Sequence, residues 1–305
     1  MGHDHVHGTA TATSGQRGRL AVVLGITLTI LAVEVVGGVL AHSLVLIADA
    51  GHMATDAAGI GLSLLAVWLA GRPSSDARTF GYQRAEILAA VINAVLLFGV
   101  GAFILVEAAR RLAHPETATP GLMVVFGVIA LAGNAASLTL LRRGQGESLN
   151  VRGAFLEVLS DLLGAAAVLV AAAVIAGTGF QRADALASIF IGVLILPRTA
   201  KLLRDAVDVL LEATPKNVDL AQVRGHICET PGVLDVHDLH AWTITSGIPV
   251  LSAHVVIADT ALADGGGARV LDSLVNCLAG HFDVEHCTFQ LEPASHLDHE
   301  HATHP

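Results

Sequence analysis

The sequence predicts a membrane α-helical bundle of six transmembrane helices joined to a cytoplasmic α+β domain of αββαβ order. Of the 305 residues, 53% are hydrophobic and only 14% charged, against about 25% charged in an ordinary soluble chain. The mean hydropathy is +0.65. This apolar character lies almost entirely before residue 203 and breaks into windows long enough to cross a bilayer. Beyond it, short β-branched runs alternate with helical stretches. The expected organisation is a histidine-containing cytoplasmic tail over 1–18, the bundle over 19–203, the small domain over 204–292 and a histidine-rich tail over 293–305.

The six windows cover approximately 19–41, 45–70, 85–109, 121–141, 154–176 and 184–203. The sixth is the least regular, because Pro197 interrupts it and Arg198 and Lys201 follow. Basic residues in short loops set sidedness. Arg17, Arg19, Arg72, Arg78, Arg84, Arg142, Arg143, Arg152, Arg198, Lys201 and Arg204 fall on one side, and only Arg110, Arg111 and Arg182 on the other. Eleven against three places both termini in the cytoplasm of a multi-pass protein of the inner (plasma) membrane. The opening MGHDHVHGTATATSGQRGR lacks the order of a signal peptide, so the first apolar stretch is expected to stay as a helix.

After the bundle, residues 217–229 and 263–281 read as helices, and LDVHDLHAWTIT, PVLSAHVVIA and VEHCTFQLE as strands bounded by SGIP and DGGG turns. The formal net charge of -10 and the lack of a basic run exclude a nucleic-acid partner. Cys228, Cys277 and Cys287, odd in number and without paired spacing, point to reduced thiols in a cytoplasmic setting. The tails HDHVH and HLDHEHATH are low-complexity and expected to be unstructured, either weak metal gatherers or plain solvated chain.

Two apolar windows each carry ionisable residues four apart: His52 and Asp56 in ADAGHMATDAAGIGLSLLAVWLA, Glu157 and Asp161 in AFLEVLSDLLGAAAVLVAAAVIA. Such pairs share a helix face. A charge at bilayer depth costs roughly 2.5–3.5 kcal/mol on insertion scales, so four of them need a common partner. A divalent cation is that partner, since imidazole and carboxylate are its ligands and four complete a tetrahedral shell. Asp49 extends the stripe. Glu34, Asn93 and Asn134 are single polar residues for which helix–helix hydrogen bonding stands beside a site role. In the small domain His237, His240, His254, Glu285, His286 and Glu292 fall on or beside the strands, enough for a second metal site. Cys287 is an extra candidate whose strand parity points the other way.

These residues resemble the cation diffusion facilitator family of metal exporters. The resemblance rests on HSLVLIADAGHMATD, RTFGYQRAEILAAVINA, NVRGAFLEVLSDLLGA and GVLDVHDLHAWTITSG followed by LSAHV, and spans residues 19–292. It implies six transmembrane helices, a metallochaperone-like cytoplasmic domain, homodimers paired through that domain, and efflux of Zn²⁺ or a similar ion against protons. It implies a transport site at His52, Asp56, Glu157 and Asp161, with Glu157 where zinc-transporting relatives usually carry His. A carboxylate there leans toward harder ions such as Mn²⁺ or Fe²⁺. It maps a cytoplasmic site, with Zn²⁺ as a regulatory ion, onto His237, His254, Glu285 or His286, and Glu292. Arg84 and Glu212 resemble a charge interlock between the third helix and the linker to the small domain. No site is expected in PSSDARTFGY, where Ser75 and Tyr82 stand at the ligand positions, nor a histidine-rich loop in RRGQGESLNVR.

With His52 neutral the empty transport site carries three carboxylates, a formal -3. Like charges in a low-dielectric cavity do not all stay ionised, and ligands must shed protons to bind metal. Exposed alternately to each side, such a site exchanges metal for protons. The competing readings fare worse. A metalloenzyme needs an open coordination position and a base, and no HExxH occurs. A membrane metal sensor without transport leaves the buried quartet unexplained. A channel cannot conduct through a tight four-ligand site.

Overall fold

The computed structural model describes residues 14–142, 149–245, 247–281 and 286–299. Its first six helices are α1 (Ser14–Ala41), α2 (Leu44–Ala70), α3 (Ala85–Ala113), α4 (Pro120–Arg142), α5 (Leu149–Thr178) and α6 (Arg182–Leu210). All six are long and apolar enough to cross a membrane, α1 from Ala21 and α5 from Ala154. Large apolar side chains such as Val67, Phe103, Val106 and Val170 point outward, as they must where helices meet lipid. In that medium only a helix or a closed barrel satisfies its own backbone.

This constraint corrects the expectation of a weak sixth span. α6 runs unbroken through Pro197 to Leu210. Proline removes one backbone donor, but leaving the helix inside lipid would strand several. Thr199 Oγ1 donates to the carbonyl of Ile195 at 3.0 Å in the same turn. Arg198, Lys201 and Arg204 therefore belong to the helix and not to a loop.

The chain divides into two units, 1–62 with 92–201 and 63–91 with 202–305. The first is the helical bundle, cored by Val45, Leu97, Ile104, Met123, Val168 and Ile191. One face of α4, through Gly127, Ala130, Asn134 and Ser137, is buried. A side chain at Gly133 would overlap Ile30 of α1, so small residues let the helices close up. The start of α2 is fixed by α6. Asp184 accepts from Ser43 Oγ at 2.6 Å, from the Leu44 amide at 2.7 Å and from the Val45 amide at 3.4 Å. Those amides are among the donors a helix leaves unpaired at its N-terminus. Arg111 stands 3.7 Å from the same carboxylate and donates to the His42 carbonyl.

The second unit holds the small domain: α7 (Leu220–Cys228), β1 (Val233–Thr243), β2 (Pro249–Ile257), α8 (Gly266–His281) and β3 (His286–Pro293). This is the expected αββαβ order. α7 starts at 220 because the Asp219 side chain caps it, accepting from the Ala221 and Gln222 amides. The sheet order is β1-β2-β3, with β1 antiparallel and β3 parallel to β2. Leu251, Val255 and Ile257 alternate into a core with Ile227, Leu274 and Leu278. A bulge between His237 and His240, with Asp238 at φ 46°, resets the parity of β1. Arg84 donates to Glu212 at 2.9 Å, the charge pair the resemblance implies. Residues Ala294–His299 form a 3₁₀ turn anchored by Ser295 on Asp259, so this part of the C-terminal tail is structured, contrary to expectation. Residues 1–13 and 300–305 lie outside the described residues.

Asp184→Ala should destabilise the bundle by about 3 kcal/mol, because it strands the Ser43 hydroxyl and the α2 amide donors in an apolar interior. Asp184→Asn should recover part of the loss through its remaining carbonyl. Thermal unfolding in detergent reads both, and an unchanged midpoint for the alanine variant would remove this cap from the account.

Candidate metal centres

α2 carries His52 and Asp56 on successive turns of one face, and α5 carries Glu157 and Asp161 in the same way. His52 Nε2 lies 3.4 Å from Asp56 Oδ2 and 3.9 Å from Glu157 Oε1. One ligand atom from each of these three residues lies within 4.8 Å of the others. Tetrahedral ligands with bonds of about 2.0–2.1 Å stand about 3.4 Å apart, so the spacing suits an ion between them. Asp161 is outside this trio. It is buried, and its Oδ1 meets no hydrogen-bond partner among the described residues. Three of the four expected residues are thus together, with the fourth one turn further along α5.

A second polar layer adjoins the trio. Asp49 packs against Gly164 of α5 so closely that a Cβ there would overlap Asp49 Oδ1. Glu34 of α1 interacts with Asp49. Both residues are fully buried, and Glu34 and Asp49 Oδ2 meet no other partner among the described residues. The Asn134 amide is likewise without a hydrogen bond among them, so the interhelical bond considered for it does not form.

Arg198 was missed by sequence reasoning, which counted it only as a loop charge. Its Nη2 donates to Glu157 Oε2 at 2.8 Å. The available signal was a permanent cation inside an apolar window, which calls for a carboxylate partner.

In the small domain, His237 on β1 stands opposite His254 on β2, and Glu292 of β3 reaches both. His237 Nε2 is 3.1 Å from Glu292 Oε2, and His254 Nδ1 is 2.8 Å from Oε1. The imidazole rings meet edge to face at 5.1 Å. Glu292 is only 2% exposed and also accepts from Gln290 Nε2 at 2.6 Å, a contact that orients the carboxylate. His286 does not join them. It shares the Glu292 side of β3 by parity but pairs with Val250 at the far end of the strand and is exposed. Glu285 lies outside the described residues. Cys287 packs against the domain core, and burial pushes its thiol up, away from the metal-binding thiolate form.

Residues 20–211 match the family model of the cation efflux transmembrane domain, and residues 215–294 that of the cation efflux protein cytoplasmic domain. Among similar proteins is the metal cation efflux system protein CzcD of Cupriavidus metallidurans, 46% identical over 293 residues, covering 96% of this chain and 90% of that protein. A cadmium, cobalt and zinc/H(+)-K(+) antiporter of Bacillus velezensis is 38% identical over 300 residues, covering 97% and 93%. The zinc transporter ZitB of Escherichia coli is 38% identical over 295 residues, covering 96% and 93%. With both domains matched in order along a six-span multi-pass chain, this protein belongs to the cation diffusion facilitator family of metal cation efflux transporters.

Proposed function

We propose that this protein exports Zn²⁺ from the cytoplasm in exchange for protons, with His52, Asp56, Glu157 and Asp161 as the transport site. The observation that carries the reading is the convergence of His52, Asp56 and Glu157 at ligand spacing inside the helical bundle. Asp161, one turn away, supplies the fourth ligand when an ion draws the side chains together. Those of the three carboxylates that hold a proton in the empty site shed it to bind a metal and regain it when the metal leaves. Relatives named as a zinc transporter and as a cadmium, cobalt and zinc/H(+)-K(+) antiporter support both the ion and the counter-ion. The basic bias of one set of loops favours cytoplasmic termini in the inner membrane. Protein pairing as a homodimer through the small domain completes the proposal, in line with the match to the family's cytoplasmic domain.

His237, His254 and Glu292 form a second proposed site, for a regulatory Zn²⁺. Three ligands contributed by three strands tie the sheet together when metal is plentiful. Its place outside the spans gives it influence over transport without a part in translocation.

Asp56→Ala and Asp161→Ala should each abolish metal flux into sealed vesicles while the protein still inserts and dimerises. Flux at the native level from either variant, at matched protein density, would take the quartet out of the mechanism. His237→Ala combined with His254→Ala should weaken cytoplasmic metal binding yet leave substantial flux. Complete loss in that folded double variant would show that the small-domain site is part of translocation. Glu157→His should narrow selectivity toward Zn²⁺ over Mn²⁺ and Fe²⁺, because imidazole suits Zn²⁺ and carboxylate also serves the harder ions. It also removes one of three carboxylates, so the pH profile of flux should change shape. Relative rates for the three ions at several pH values read both effects, and identical behaviour would exclude Glu157 as a ligand.

A further inference from the structure

Glu157 is held by two different partners. Its Oε1 faces His52 Nε2 at 3.9 Å, within the trio that would ligate an ion. Its Oε2 accepts from Arg198 Nη2 at 2.8 Å. Arg198 comes from α6, a helix that contributes no residue to the trio. The guanidinium also interacts electrostatically with Asp56 and Asp161. A fixed positive charge therefore already stands at the site that a divalent cation would enter.

The pairing cannot switch by losing a proton, because a guanidinium stays charged in proteins. What can change is which cation Glu157 serves. Unpaired, three carboxylates in an apolar bundle would be costly to keep ionised, and Arg198 offsets part of that charge. A divalent ion brings twice the charge of the guanidinium to the same carboxylates, so it can displace Arg198 from Glu157. Arg198 is also free to withdraw. Its side chain is 65% exposed while Glu157 is 28% exposed, and its long apolar stem lets the head move toward a polar boundary.

We propose that Arg198 is a built-in competitor of the transported ion: it occupies Glu157 in the empty carrier, yields it to an arriving divalent cation, and retakes it on release. Arg198 thereby sets how tightly the site holds metal and how fast the metal leaves. The proposal rests on the reading of His52, Asp56 and Glu157 as the transport site. It gives Glu157 a specific consequence, since a histidine at that position would offer the guanidinium no carboxylate to hold.

The test uses the full-length protein, with Zn²⁺ titrated in detergent and initial rates measured in proteoliposomes. Arg198→Gln should bind Zn²⁺ about tenfold more tightly, a ~1.4 kcal/mol change. Its KM and its maximal rate should fall together, because release slows. Arg198→Lys, which keeps the charge, should stay near the native affinity. In the Glu157→His background, adding Arg198→Gln should change affinity by no more than about twofold, the non-additivity expected of groups that act on each other. Arg198→Met carries the same test should the glutamine variant not fold. Unchanged or weakened Zn²⁺ affinity on removing the charge overturns the proposal, as does a lysine variant that behaves like glutamine. Native protein that carries Zn²⁺ while Arg198→Gln fails to tighten would sink this inference alone. Native protein that neither binds nor carries a divalent cation would sink the transport reading with it.

Discussion

Burying carboxylates in a lipid-embedded helix bundle is the constraint on which the rest of this structure depends. Glu34, Asp49, Asp56, Glu157 and Asp161 all lie in spans of the bundle, where a charge without a partner is costly. Everything around them follows from placing those groups against something. Gly164 leaves room for Asp49, α6 sends Arg198 to Glu157, and His52 stands between Asp56 and Glu157. Asp184 shows the contrast. It is as buried as Glu34, Asp49 and Asp161, but Ser43 and two backbone amides satisfy it, so it closes a helix end. A buried carboxylate with donors is architecture, whereas one short of donors awaits a cation or a proton.

The two candidate centres differ in what their surroundings allow. The small-domain trio sits on strands locked by register, with Gln290 orienting Glu292 and both imidazoles already within 3.1 Å of the carboxylate. Such preorganisation favours retention of a metal. The membrane trio is looser, Asp161 stands a turn away, and Arg198 already pairs with Glu157. Looseness is what a carrier needs, because an ion held in a finished four-ligand shell leaves slowly.

Much of this was legible in the sequence because the helix period is strong and lipid permits few alternatives. The i, i+4 spacing of His52 with Asp56 and of Glu157 with Asp161 marks two polar helix faces, of which the structure brings His52, Asp56 and Glu157 together, and strand alternation turned Cys287 inward. What stayed hidden was register and long-range contact. His286 has the right parity but sits opposite Val250, four positions before Gln290 pairs with His254, and nothing local in the sequence fixes that parallel register. The bulge at Asp238 that resets β1 was equally invisible. Pro197 weakens α6 less than a rule drawn from soluble helices implies, because lipid strongly enforces helical structure. Arg198 falls inside the sixth window, 184–203, yet as a loop charge used for sidedness it carries no partner, and only the fold brings it to Glu157.

In the proposed mechanism, ligand protonation couples metal movement to proton movement through one site in the bundle. The most direct measurement records Zn²⁺ entry and internal pH together in sealed proteoliposomes of the native protein. An imposed pH gradient, acidic inside, should by itself drive Zn²⁺ uptake against its own gradient, with protons leaving in fixed ratio to the metal. Zn²⁺ entry that ignores the pH gradient and moves no protons would rule out proton-coupled exchange at this site.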